Sequence, residues 1–159
     1  MDIQRTIDDI DLRILEILQE KARIPNAEVA RQVGMAPSAV LERIRKLEGQ
    51  GIIQGYEVRL DPRHFGQNLT AFVSLKVDCA AADLDCQLAA LTGVQEVHQV
   101  AGDDGYLLKL RVADTAELGH ILRHELAALQ GVVQTRTNIV VKSVKETRKI
   151  SLKREQQRY

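Results

Sequence analysis

The sequence predicts an α+β protein: an N-terminal three-helix domain of winged or helix-turn-helix type, followed by a ferredoxin-like βαββαβ sheet domain. Three observations predict it. Apolar residues recur at helical spacing up to about Gln50, whereas strand-like runs alternate with helices after about Leu69. Gly34 punctuates two short helical stretches, and Pro37 stands where the next helix begins. Finally, Leu88-Ala89-Ala90-Leu91-Thr92-Gly93-Val94 returns 38 residues later as Leu126-Ala127-Ala128-Leu129-Gln130-Gly131-Val132, an internal repeat. The expected division is residues 1–55, a linker over 56–68, a sheet domain over 69–145 and a basic tail over 146–159.

In the first domain, Asp8 and Asp11 supply a capping side chain and negative charge at a helix start, and Ile10, Ile14, Ile17 and Leu18 then share a face to about Lys21. A second helix follows Pro25-Asn26, carried by Val29, Ala30 and Val33, and Gly34 ends it by accepting a left-handed turn. A third runs from Pro37 to about Glu48, where Gly49 and Gly51 stop it.

In the second domain, strands are expected at Ala71–Val77 and Tyr106–Val112, and each repeat copy reads as a helix end followed by a strand. The order strand, helix, strand, strand, helix, strand is that of the split βαβ arrangement, one sheet with two helices on one face. Apolar runs such as Ile139-Val140-Val141 imply that the other face is hidden by a second subunit.

Composition bounds the function. The 159 residues are 45% apolar, which excludes a disordered or collagen-like chain, and the 3% aromatic content argues against a base-stacking single-strand binder. With no run of 18 apolar residues, no transmembrane helix and no membrane partner are expected. Lys plus Arg and Asp plus Glu are 22 each, so net charge alone suggests no polyanionic partner. The distribution is more informative: residues 1–60 carry 9 basic and 10 acidic groups, 61–141 carry 6 and 10, and 142–159 carry 7 and 2. The tail, including Lys153-Arg154, reads either as an arm touching DNA phosphates or as a solubilising end.

On the third helix, Val40, Ile44 and Leu47 face inward. The opposite side presents Ser38, Glu42, Arg45 and Lys46, with Pro37 at its start and Ala39 and Arg43 on its shoulders. A solvated helix face would have the same residues. The helix lengths, glycine turn and N-terminal proline, however, match a helix that enters the major groove, where Arg bonds guanine, Glu accepts from cytosine, and Lys or Ser holds phosphate.

The stretch Asn26-Ala27-Glu28-Val29-Ala30-Arg31-Gln32-Val33-Gly34-Met35-Ala36-Pro37-Ser38, continuing through Arg43-Ile44-Arg45-Lys46-Leu47-Glu48 to Gly51-Ile52-Ile53-Gln54-Gly55-Tyr56, closely resembles the Lrp/AsnC (feast/famine) family of prokaryotic transcriptional regulators. The resemblance covers nearly the whole chain, with both domains in the family's order. It implies double-stranded DNA as a partner, self-association through the sheet domains into dimers and commonly tetramers or octamers, and response to a small molecule, usually an amino acid. One departure is Ala36, where the family often has Ser or Thr; Ser38 is the nearest substitute cap.

Gly102-Asp103-Asp104-Gly105-Tyr106 reads locally as a polar hairpin turn between apolar strands. The resemblance implies that this turn is the effector loop, usually Gly-x-x-Asp-Tyr. Gly102 and Tyr106 agree with that pattern; Gly105 stands at the acidic position, and Asp104 lies one residue earlier. The turn is therefore expected to bind effector, Gly102 and Asp104 foremost, with Thr135 and Thr137 as further candidates from the same resemblance.

His120 and His124 are four apart on an expected helix, yet no third ligand has a dictated position, so no metal is expected. Cys79 and Cys86 have neither redox nor zinc spacing and are read as reduced thiols. The start, Met1-Asp2-Ile3-Gln4-Arg5, lacks an export leader, so a cytoplasmic, nucleoid-associated location is expected. There is no Ser-His-Asp order, phosphate loop or dinucleotide fingerprint, so an enzyme is not expected, and no cofactor beyond a possible amino-acid effector. The reading is a sequence-specific, oligomeric regulator; the alternatives are a DNA-wrapping nucleoid protein with little sequence preference and an effector-independent regulator.

Overall fold

Asp8 and Asp11 start the first helix by exchanging hydrogen bonds: the Asp11 amide donates to the Asp8 carboxylate at 2.8 Å, and the Asp8 amide to the Asp11 carboxylate at 3.2 Å. Helix α1 runs over Asp9–Glu20, α2 over Asn26–Val33 and α3 over Pro37–Gly49. Gly34 takes φ 71°, so the turn between α2 and α3 uses the left-handed conformation that glycine adopts without strain. Ile14, Val29, Ala30, Val40 and Ile44 form the core, flanked by residues including Ile10, Ile17, Leu18, Val33 and Ile53. Among the described residues of this unit no strand pair follows α3, so it is a plain helix-turn-helix without a wing.

The computed structural model describes residues 7–78 and 82–152. They fall into two units, one built from the chain up to Arg59 together with the segment from Thr147, the other from Leu60–Glu146. The Cys79 thiol, the opening Met1–Arg5 stretch and the Lys153-Arg154 pair lie outside the described residues; Cys86 is exposed and unbonded.

The second unit is a four-stranded sheet in the order β2-β3-β1-β4, every neighbouring pair antiparallel, with β1 over Leu69–Val77, β2 over Val94–Gln99, β3 over Tyr106–Val112 and β4 over Val132–Ile139. Helix α4 spans Leu84–Ala90. Helix α5, Thr115–His120, is capped by the Asp114 carboxylate and continues into a π turn at Ile121–Glu125 and a 3-10 turn at Leu126–Ala128. Alternate strand residues Ala71, Val73, Leu75, Tyr106, Leu108, Leu110 and Val112 pack against Leu84, Leu88, Leu118, Ile121 and Leu126 of the helical layer.

The internal repeat has a structural counterpart. Leu88 and Leu126 are both fully buried, and Gly93 and Gly131, at φ 81° and 90°, turn the chain into β2 and β4. A Cβ at Gly93 would lie 3.0 Å from the Arg111 carbonyl, so close approach as well as backbone angle selects glycine there.

The sheet's other face differs from expectation. By register with Ala71, Ile139 projects to the helix side, and Val140-Val141 lie beyond β4, so that apolar run does not build an uncovered apolar face. The face carries Thr70, Phe72, Ser74 and Lys76 from β1, Leu107, Lys109 and Arg111 from β3, and Gln134, Arg136 and Asn138 from β4. Much of it is polar and internally paired: Lys109 bonds Glu96 at 3.2 Å and also Glu146, which Arg111 approaches at 3.5 Å.

From Thr147 on, the described part of the basic tail belongs to the first unit. The Gln19 carboxamide accepts from the Ile150 amide at 2.8 Å and donates to its carbonyl at 3.2 Å. Lys149 pairs with Glu20 at 2.7 Å, and one Arg148 nitrogen bonds both Glu57 oxygens at 2.7 and 2.8 Å. Two of the tail's cations are thereby matched to carboxylates of their own unit.

Candidate functional site

Helix α3 is held by Val40, Ile44 and Leu47, which are 0, 6 and 1% exposed. That burial fixes which way the remaining side chains point. Pro37, Ser38, Glu42, Arg45 and Lys46 are exposed, and Ala39 and Arg43 are intermediate. Arg45 lies 3.1 Å from Glu42, one helical turn earlier, and both remain open to solvent. The helix starts with Pro37 at its first turn. Ala36 at the cap position has extended backbone, and no side chain caps the helix, so Ser38 does not replace the missing cap bond.

Arg43 is engaged differently from its neighbours. One guanidinium nitrogen bonds the Asp8 carboxylate at 2.6 Å and the Asp11 carboxylate at 2.7 Å. Asp11 is only 3% exposed. The Asp11 amide, and then Arg43, hold the Asp8 carboxyl below its ordinary pKa; bonds to Asp11 and Asp8 raise that of Arg43.

Residues 102–105 lie in the loop from β2 to β3, with Tyr106 opening β3, and the loop is closed by the Val100 amide on the Gly105 carbonyl at 3.1 Å. Gly102 takes φ 139°. The Gly105 amide donates to the Leu75 carbonyl at 2.8 Å, tying the loop's end to β1. Asp103 is exposed; Asp104 is partly covered, with its carboxylate 3.5 Å from Arg136 on β4.

The expected effector residues do not all share one face. Tyr106 is buried on the helix side, where its hydroxyl donates to Asp85 of α4; that bond, followed by burial, raises its pKa. Thr135 and Thr137 pair in register with Leu75 and Val73, so they too project toward the helices. Tyr106, Leu75 and Thr135 form one row across three strands. Arg136, the partner of Asp104, pairs with Ser74 and projects to the opposite face.

Two family models match this chain: AsnC-type helix-turn-helix domain over residues 7–48, and Lrp/AsnC ligand binding domain over residues 70–150. The chain belongs to the Lrp/AsnC family. The leucine-responsive regulatory proteins of Salmonella typhimurium and Escherichia coli are 40% and 39% identical to it over 153 residues, which is 94% of this chain and 93% of each relative. Among solved structures, a transcriptional regulator from Neisseria meningitidis in complex with L-Met has a TM-score of 0.88 at 29% identity, covering 92% of this chain and 97% of that one. Escherichia coli AsnC has a TM-score of 0.81 at 28% identity, covering 91% and 97%.

As an Lrp/AsnC protein the chain is a DNA-binding transcriptional regulator, with its helix-turn-helix domain in the first unit and its ligand-binding domain in the second. Two features of this Lrp/AsnC chain go beyond the sequence-based expectations. Asp8 and Asp11 do more than start α1: they also hold Arg43. Arg136, between the two expected threonines, lies on the face opposite theirs, a placement that strand alternation alone dictates. The His120 and His124 rings have centroids 5.0 Å apart and are tilted by 44°, and His120 lies 3.5 Å from Glu125. Among the described residues no group of three potential ligands gathers there as a metal site.

Proposed function

We propose that this protein regulates transcription as a homo-oligomer that recognises specific double-stranded DNA through α3 and is modulated by an amino acid. The supporting observation is the exposed α3 face. Ser38, Glu42, Arg45 and Lys46, with Pro37 and Ala39 at its start, stand opposite a fully engaged core row. Recovery of DNA from a random-sequence pool, followed by competition against bulk DNA, tests it: a specific regulator keeps a large affinity ratio, whereas a DNA-wrapping protein does not.

The effector half is supported by the loop and its surroundings. Asp104 and Arg136 offer one negative and one positive group, the complements of an α-amino acid's ammonium and carboxylate. The Neisseria meningitidis relative holds L-Met. Gly102, Asp103 and Gly105 contribute backbone to the loop, while Tyr106, Thr135 and Thr137 lie on the other side of the sheet and act on the site through strand position. Calorimetry with a panel of amino acids, read beside oligomer mass, tests this half, since a ligand shifts assembly only through different affinity for two states.

The role carries no catalysis and needs no cofactor, and the protein works in the bacterial cytoplasm at the nucleoid. The mixture of exposed Phe72, half-buried Leu107 and paired charges on the open sheet face supports self-association there rather than through a purely apolar patch.

A further inference from the structure

We propose that Arg43 is a positioning residue for DNA reading: by joining Asp8 and Asp11 it sets how α3 presents Ser38, Glu42, Arg45 and Lys46, and it does not itself contact DNA. This rests on the reading of α3 as the DNA-recognition helix.

The geometry carries the assignment. Arg43 reaches 32 and 35 residues back along the chain, from the middle of α3 to the start of α1. The two carboxylates it meets are already fixed, because each accepts the other's backbone N–H in the reciprocal cap. A guanidinium bound to a rigid pair is a brace, and its planar head keeps that geometry better than a flexible ammonium. Exposure separates it from the reading face: the Arg43 side chain is 28% exposed, that of Arg45 62%.

The cost of leaving this position points the same way. The Asp11 side chain is 4% exposed, so drawing Arg43 toward a phosphate would strand a buried carboxylate beside only one backbone donor. Arg45 and Lys46, already facing solvent, reach DNA without that penalty.

The two roles predict opposite signs for removal of an acid. If Arg43 contacts phosphate, Asp8 competes for it, and Asp8→Asn strengthens DNA binding. If Arg43 is a brace, Asp8→Asn loosens it and weakens specific binding, even though a negative charge has been removed.

The experiment uses the full chain and a DNA site recovered by the unaltered protein from a random pool, with bulk DNA as the non-specific comparison. Arg43→Gln, Arg43→Lys and Asp8→Asn are each checked by thermal melting, and affinities are expressed per folded molecule. We expect Arg43→Gln to weaken the recovered site about tenfold or more relative to bulk DNA, because small misplacements of a reading element are costly. The salt dependence of binding stays unchanged, Asp8→Asn shifts the ratio in the same direction, and Arg43→Lys restores part of the loss. A stronger site with Asp8→Asn, or a salt slope reduced by about one phosphate contact in Arg43→Gln, would overturn the proposal. So would a lowered melting temperature with an unchanged affinity ratio, which would make Arg43 a stabilising residue only. If the unaltered protein recovers no preferred sequence, the reading of α3 falls, and the brace falls with it.

Discussion

Asp104 and Arg136 meet at 3.5 Å, the acid in the loop before β3 and the base on β4, with β1 lying between those two strands. Neither is deeply buried: the Arg136 side chain is 63% exposed and that of Asp104 26%. A pair this open is held weakly against water and is free to exchange its partner for a ligand that carries both charges.

From this follows the first expectation. Arg136→Ala and Asp104→Asn should each weaken amino-acid binding about tenfold or more, the scale of losing one hydrogen bond to a charged group. Titration calorimetry on the full chain checks it. Unchanged affinity in both variants would separate the pair from the effector site.

The start of α3 gives a second. Ala36 has extended backbone but no side-chain cap, and Pro37 already provides the following turn. Ala36→Ser should stabilise the protein by about 1 kcal/mol, the usual worth of a helix N-cap. Chemical denaturation measures this; an unchanged or lower midpoint would mean that the cap bond does not form there.

Tyr56 provides a prediction at high pH. Partial burial, with a further contribution from the Glu48 carboxylate at 2.9 Å, pushes its pKa up to about 12. A folded-state pKa above the ordinary tyrosine value means that the folded state holds the proton more tightly. The resulting stabilisation is present below pH 10 and is lost as pH rises through about 12. Phenolate absorbance of the full chain should show a late step that Tyr56→Phe removes. Ionisation of Tyr56 near pH 10 instead would mean that neither its partial burial nor the Glu48 contact persists in solution.

The fold was legible where local chemistry and periodicity agree. Asp8 and Asp11 mark the start of α1, Gly34 takes the left-handed turn, and the Leu-Ala-Ala-Leu repeat marks the ends of two helical segments. The exposed face of α3 was legible because buried Val40, Ile44 and Leu47 determine it by helical geometry alone. Arg43 was not, since its partners lie 35 and 32 residues away and only folding brings them together. The loop was half legible: its position follows from the strands, but whether each residue projects to the helix side depends on strand register, which separates Arg136 from Thr135 and Thr137. The π turn beginning at Ile121 has no signature in the sequence pattern used to place that helix. The zero net charge pointed away from DNA because it averaged an acidic sheet domain with a basic tail, although local charge, not the sum, governs docking.

The central claim is that the exposed face of α3 reads base sequence, and Arg45 tests it most directly. Base preferences should be measured by competition among single-base variants of a recovered site, with full-length protein and with Arg45→Ala. We expect a loss of about 1 to 3 kcal/mol on the preferred site and relaxed preference at one base-pair position per half-site. An equal loss on every sequence, with the preference profile unchanged, would contradict base reading by Arg45 and reduce it to a phosphate contact.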